Sequence, residues 1–207
     1  MTLDGTAMYR RFTAEHPLPD LVRAAVALSE RFDFTYSVHP HTGRLLAALA
    51  GGVLGGRIGE TGAGTGVGLA WMHSAAPPDT ELISIELDRP RAEATAELFA
   101  PCPSVTVLCG DANELVPHGP FDLLVLDAPG DTGPMSYGAV DPVEVLTPTG
   151  TIVKDDLWPV TGWPPQTIDG AKDDLRRRLL EHPALFSTEV QVAEGFAAVI
   201  GRRKPPE

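Results

Sequence analysis

Basic charge is scarce in this chain of 207 residues: 16 Lys and Arg stand against 28 Asp and Glu, a formal net charge of −12. A nucleic-acid partner needs a positive field to neutralise phosphates. The only basic blocks are RRR at 176–178 and the closing GRRKPP, so no nucleic-acid partner is expected. Cysteine is nearly missing too. Cys102 and Cys109 stand without a His pair at metal spacing, which argues against a disulfide framework and against a zinc site. Long apolar runs are absent: LLAALAGGVLGG is short and broken by glycine, and the opening MTLDGTAMYRRF has no basic segment leading into an apolar core. The expectation is a soluble cytoplasmic protein with no membrane partner. There is no internal repeat, low-complexity tract or linker, and the length suits one α/β domain spanning 1–207.

What the chain has in plenty is alternation. Leu21, Ala24, Ala25, Leu28 and Phe32 repeat at the spacing of one helix face, and TGRLLAALAG continues in helix after Pro40. Five short apolar runs then read as buried parallel strands: GRIGE, ELISIEL (81–87), SVTVLCG (104–110), FDLLVLDA (121–128) and GTIVKDD (150–156). Helical stretches VGLAWMHSA, RPRAEATAELFA, DANELV and AVDPVEVL separate them. The chain closes with the helix GAKDDLRRRLLEHP and two strands that turn at Glu194-Gly195. This is the pattern of a doubly wound, Rossmann-like α/β fold: a mostly parallel seven-stranded sheet ending in an antiparallel hairpin, with helices on both faces. Residues 1–50 are expected to form a helical segment covering the ligand site and 51–207 a Rossmann-like ligand-binding core. Ligands are expected at the carboxyl ends of the strands.

One stretch carries the chemistry. In GRIGETGAGTGVGLAWM, Gly62, Gly64 and Gly66 allow a sharp passage from strand to helix and expose amide groups at the helix N-terminus. Alone, such glycines suit a structural loop. A dinucleotide fingerprint would require glycine where Val67 stands. Glu60, just before the loop, would repel a pyrophosphate and attract an ammonium group. Acids also close the other strands: Glu86, twenty residues after Gly66, stands where doubly wound folds hold ribose hydroxyls. Asp111 follows the third strand, where an acceptor could meet an adenine amino group. Asp127 ends the fourth, and Asp155 and Asp156 end the fifth. Each acid singly could be a helix cap or a solvated loop residue; an acid at every strand end points to a site.

From about residue 34 to 203 the chain resembles class I S-adenosylmethionine-dependent methyltransferases, within them the small O-methyltransferases related to catechol and caffeoyl-CoA O-methyltransferases. YSVHPHTGRLLAALA resembles the segment that crosses the methionine part of the cofactor, GETGAGTG the cofactor loop, ISIELD the ribose-binding strand and GDA the adenine contact. DDLWPVTGWPPQTIDGAKDDL is similar to the ending of bacterial predicted O-methyltransferases. The resemblance implies S-adenosylmethionine, which carries both an amine and a sulfonium, held by Ser37, Val38, Glu60, Gly62, Ala63, Gly64, Thr65, Gly66, Glu86, Leu87, Asp111, Ala112 and Asp127. It implies methyl transfer to a hydroxyl of a small-molecule acceptor. It further implies Mg²⁺ or another divalent cation, because Asp127 and Asp155 match the family's metal-binding acids and Asp156 stands where an Asn is usual.

The sequence also departs from that pattern. The Lys common three residues after the first Asp is Gly130 here, and the chain is one residue short between the acidic pair and Trp158. If Leu157-Trp158 sets the register, Lys154 takes the place of the second Asp and the metal site is lost. The candidates for proton transfer are Asp127, Lys154 and His39; His39 and His41 could equally be plain loop histidines beside Pro40. Tyr137, Trp158 and Trp163 suit the walls of a pocket for a flat acceptor, or simply the core. Two other readings keep the cofactor fold: an aminopropyltransferase on a decarboxylated cofactor, and a non-catalytic S-adenosylmethionine-binding protein. The resembled enzymes frequently dimerise, and a homodimer is left open.

Overall fold

The computed structural model describes residues 4–128, 141–159, 162–167 and 170–205. Its sheet has the strands β1 (Arg57–Thr61), β2 (Glu81–Glu86), β3 (Val105–Cys109), β4 (Phe121–Leu126), β5 (Leu146–Leu157), β6 (Leu185–Ala193) and β7 (Phe196–Arg203). They lie in the order β3-β2-β1-β4-β5-β7-β6. The first five are parallel, while β7 runs antiparallel to both β5 and β6. The order reverses between β1 and β4, which opens a crevice at the carboxyl ends of those strands.

Helices α1 (Gly5–Glu15), α2 (Asp20–Arg31) and α3 (Pro40–Ala50) precede the sheet; α4 (Val67–Ala75), α5 (Arg89–Phe99), the short α6 (Pro142–Val145) and α7 (Asp174–Glu181) are threaded through it. No described helix is long and apolar enough to cross a membrane. Alternation along β4 separates two cores. Leu123 and Val125 join Tyr9, Val22, Leu46, Trp71 and Phe99, whereas Leu124 and Leu126 join Leu115, Val145 and Leu179. A central parallel strand must bury both faces, which is why LLVL, residues 123–126, reads as an unbroken apolar run.

Some elements differ from the sequence expectation. DANELV forms a 3₁₀ segment, Ala112–His118, closed by a reciprocal cap between Asp111 and Glu114 and carrying Pro117 within it. The helix expected before β5 is a single turn, and β5 begins earlier, at Leu146. The hairpin turn falls at Glu194-Gly195 as expected, with Gly195 at φ +77°.

Buried polar contacts fasten α1 to α4 and to the segment before α3. The Trp71 indole N–H donates to the Tyr9 hydroxyl at 2.8 Å, and that hydroxyl donates to the Val38 carbonyl at 3.0 Å. Gly5 meets Ser37 so closely that an added Cβ would lie 1.8 Å from its carbonyl oxygen. The relay through Tyr9 yields a direct expectation. Tyr9→Phe leaves the Val38 carbonyl and the Trp71 N–H unpaired in the core, and the urea midpoint should fall by an amount worth about 1–3 kcal/mol with an unchanged slope.

Candidate functional site

The glycine turn builds the floor of the site. Gly62, Gly64 and Gly66 sit at φ +80°, +55° and +84°, the left-handed region that disfavours side chains. The turn is crowded as well: a Cβ on Gly62 would lie 2.8 Å from the Ala128 nitrogen, and one on Gly64 2.9 Å from the Phe34 ring. Above it a narrow cavity, with room for about 10 Å³, is lined by Phe34, Tyr36, Ser37, Val38, Gly62, Ala63, Gly64, Thr65, Val67, Gly68 and Asp127. Hydroxyl contacts run from α1 into this floor. Thr6 donates to Ser37 at 2.7 Å, Ser37 and Ser29 are 2.9 Å apart, and Ser29 pairs with Thr65.

Two glutamates lie beneath and beside the loop. Glu60 on β1 is buried, and its register partner on β2, Ser84, donates a hydroxyl hydrogen bond to it at 2.6 Å. Burial pushes the Glu60 carboxyl up to about 8, against the pull of Ser84, and the charges of Asp155 and Glu86 add to the rise. Its other oxygen lies against Gly68, where a Cβ would be only 2.4 Å away. Glu86 ends β2 and is also buried. The Gly64 N–H donates to one of its oxygens at 2.7 Å, while the Asp88 N–H and Arg91 reach the other at 2.8 and 2.9 Å. Leu87 beside it is exposed. Asp111 is exposed and caps the 3₁₀ segment through the Asn113 N–H, with Ala112 half-buried next to it.

The acids of β4 and β5 converge. One carboxylate oxygen from each of Asp127, Asp155 and Asp156 falls within a group whose members all lie within 4.8 Å of one another. Neighbouring residues of a regular strand point to opposite faces. Here β5 departs from regularity: Lys154 pairs with Val199 but Leu157 with Ala197, so Asp155 and Asp156 together oppose Ala198. Asp156 takes φ +53°, and this bulge turns both acids toward Asp127.

Asp155 is fully buried, and neither of its oxygens has a well-formed hydrogen bond among the described residues. Its cationic neighbour is Lys154, at 3.8 Å and buried likewise. Burial, then the charges of Asp155 and Asp156, hold Asp127 well above the usual carboxylate range. Burial raises Asp155 too, and Asp156, although its side chain reaches solvent, is pushed up to about 7 by the desolvation of the crowded cluster and by Asp155. Three crowded acids, with both oxygens of the buried Asp155 orphaned, make a donor set that fits a hard divalent cation.

His39 stands elsewhere in role. Its Nδ1 caps α3 by accepting the His41 N–H at 3.1 Å, and its ring packs on Phe196 at 4.3 Å between centroids. Burial, then His41, lowers its pKa to about 4, which makes it a weak proton acceptor. Trp158 is half-exposed in practice, at 44%, with its ring over Gly195, and Trp163 is exposed. Tyr137 and Gly130 lie outside the described residues. Sequence reading passed over Phe34, Tyr36, Ser84 and Arg91. Ser84 had a signal, a lone hydroxyl inside the apolar strand ELISIEL; Arg91 and Phe34 become visible only once tertiary contacts are known.

The fold is that of the class I S-adenosylmethionine-dependent methyltransferases. The chain is similar to the O-methyltransferase TomG from Streptomyces achromogenes, involved in tomaymycin synthesis and solved with S-adenosylmethionine: 22% identity, TM-score 0.71, covering 98% of this chain and 99% of that one. It is similar also to an O-methyltransferase from Bacillus cereus in complex with S-adenosylhomocysteine, at 17% identity and TM-score 0.73 over 94% of this chain and 96% of that one. Among curated proteins, a catechol O-methyltransferase of Mycobacterium tuberculosis is 26% identical over 194 residues, covering 86% of this chain and 87% of that protein. No protein-family model matches the sequence. Together these likenesses support an S-adenosylmethionine-dependent O-methyltransferase, as the resemblance of its motifs implied.

The burial of Glu60 has a consequence for stability. A carboxyl whose folded pKa is raised contributes stability that is complete below its ordinary pKa, near 4.5, and is lost as pH rises through about 8. The melting temperature of the metal-free protein should fall across that window. Glu60→Gln, which keeps an acceptor for Ser84 and cannot ionise, should make the fall shallower; equal slopes in thermal scans from pH 5 to 8.5 would refute this.

Proposed function

We propose that this chain transfers the methyl group of S-adenosylmethionine to a hydroxyl of a small, flat acceptor, with a divalent cation held by Asp127, Asp155 and Asp156. The observation that carries the reading is the position of Asp127. It lines the cavity over the glycine turn and also belongs to the acidic cluster, so cofactor and cation would meet at one residue. The backbone N–H of Asp127 donates to the Thr61 carbonyl at 3.2 Å, which fixes the end of β4 against the start of the turn.

Methyl transfer is an in-line displacement at the sulfonium carbon, so most of what the protein contributes is alignment. In this reading the turn from Gly62 to Gly66 seats the methionine part, Ser37 and Val38 cross over it, and Glu86 takes the ribose hydroxyls. A bound hard cation would lower the pKa of the acceptor hydroxyl and fix its oxygen. Lys154, as the ammonium paired with Asp155, would offset the charge of the acidic cluster beside the acceptor rather than take the hydroxyl proton. The capping role and low pKa of His39 support a wall rather than a base. Trp158 and Trp163 would flank the acceptor.

The test separates cofactor from metal. Calorimetry should show micromolar binding of S-adenosylhomocysteine that is lost in Glu86→Ala and kept in Asp155→Asn. Methylation of a test catechol should stop with EDTA, return with Mg²⁺, and drop on the order of 10²-fold in Asp155→Asn, the scale of a lost electrostatic contact at a reacting centre. Turnover indifferent to both EDTA and Asp155→Asn would remove the cation from the mechanism.

A further inference from the structure

Four residues close a ring of contacts at the rim of the cavity. Arg91, in the first turn of α5, donates from Nη2 to one Glu86 oxygen at 2.9 Å. The Gly64 N–H donates to the other oxygen at 2.7 Å. Gly64 is covered by Phe34, whose ring would stand 2.9 Å from a Cβ at that position. The ring is completed by Arg91 itself, whose guanidinium carbon sits 5.2 Å from the centroid of Phe34. Arg91 therefore touches the acid on β2 and the aromatic ring on the segment between α2 and α3 at the same time.

The chemistry of these contacts is directional. A guanidinium is a rigid plane that can hold a carboxylate with its edge and an aromatic ring with its face. Its charge-assisted bond to Glu86 is well shielded, since the two side chains are 29% and 7% exposed. Asp88, the cap of α5, lies 3.7 Å from Nη1 and accepts the Arg91 backbone N–H at 3.0 Å, so backbone and side chain are anchored together. The Nε–H is buried and has no hydrogen-bond partner among the described residues. One donor thus remains beside the acid.

The cavity that this ring borders has room for only about 10 Å³, far below the roughly 300–1,000 Å³ usual for small-molecule sites. A nucleoside-sized occupant needs its Phe34 wall to give way while Glu86 keeps its orientation.

We propose that Arg91 is a positioning residue for the cofactor, holding the Glu86 carboxylate in one orientation for the ribose hydroxyls and tying it through Phe34 to the segment that closes over the glycine turn. The inference rests on the reading of Glu86 as the ribose acid. It assigns the grip on the cofactor to a contact network, of which the carboxylate is one part.

The test titrates S-adenosylhomocysteine into wild type, Glu86→Ala, Arg91→Met, Arg91→Lys and Phe34→Leu, with steady-state kinetics and unfolding midpoints on each. Arg91→Met should weaken binding and raise KM for S-adenosylmethionine by about 10-fold, the size expected for a lost bond to a charged group, with kcat near wild type and the midpoint lowered because Glu86 loses its cationic partner. Arg91→Lys should recover part of the loss, because an ammonium can still pair with Glu86 without lying flat on the ring. Phe34→Leu keeps the ion pair, folds without any change of charge, and should show a smaller loss of the same kind. Arg91→Met and Phe34→Leu binding as tightly as wild type, with Glu86→Ala inactive in binding, would overturn the role of Arg91 and leave the ribose assignment standing. A lowered midpoint with KM unchanged would reduce Arg91 to scaffolding and overturn it equally. Failure of wild type itself to bind would instead overturn the cofactor reading.

Discussion

Everything near the site depends on the chain leaving β1 and entering α4 within five residues. That is possible because Gly62, Gly64 and Gly66 accept positive φ and because each offers no Cβ to a different neighbour: the end of β4, Phe34, and the Thr95 and Phe99 side chains of α5. The turn is therefore a junction of elements as well as a loop. It carries the chain across the crevice at the strand-order reversal with its Gly62, Ala63 and Gly66 N–H groups given to the Ile85 and Ala63 carbonyls and that of Gly64 to Glu86, and it lets the N-terminal helices close over it. The hydroxyl contacts from Thr6 through Ser37 and Ser29 to Thr65 fix that closure from above.

Around this junction the protein places charge where charge is expensive. Glu60, Asp127 and Asp155 crowd the carboxyl ends of three adjacent strands, in surroundings that oppose their ionisation. Lys154 offsets part of this as the buried cation beside Asp155. Clusters of like-charged, shielded acids cost folding free energy, and proteins tolerate such cost mainly at sites where chemistry occurs. By contrast Arg176, equally buried, is paired with Asp173 and Glu189 and serves the packing of α7 on β6.

The sheet and its order of elements were legible because they follow from period and length. Five apolar runs separated by helical patterns can hardly form anything other than a doubly wound sheet, and Glu194-Gly195 announced the final hairpin. The glycine turn was legible because φ demands glycine. Side-chain convergence was not. The spacing of Asp155 and Asp156 on a strand suggests opposite faces, and only the offset between Lys154–Val199 and Leu157–Ala197 reveals that they share one. Asp111 and His39 matched the expected positions in the chain, while their hydrogen bonds are those of helix caps. A sequence lists polar residues near a site but does not state which backbone groups they already serve.

The bulge in β5 also sets what can stand at position 156. A left-handed backbone there favours Gly, Asn or Asp over other residues. Within that short menu, the choice between Asp and Asn leaves the chain path alone and alters the formal charge of the acidic cluster by a whole unit. Folding and the charge of the cluster are consequently separable at this one position. A lineage could retune the cluster from three negative charges to two by a single exchange without rebuilding the strand that carries it.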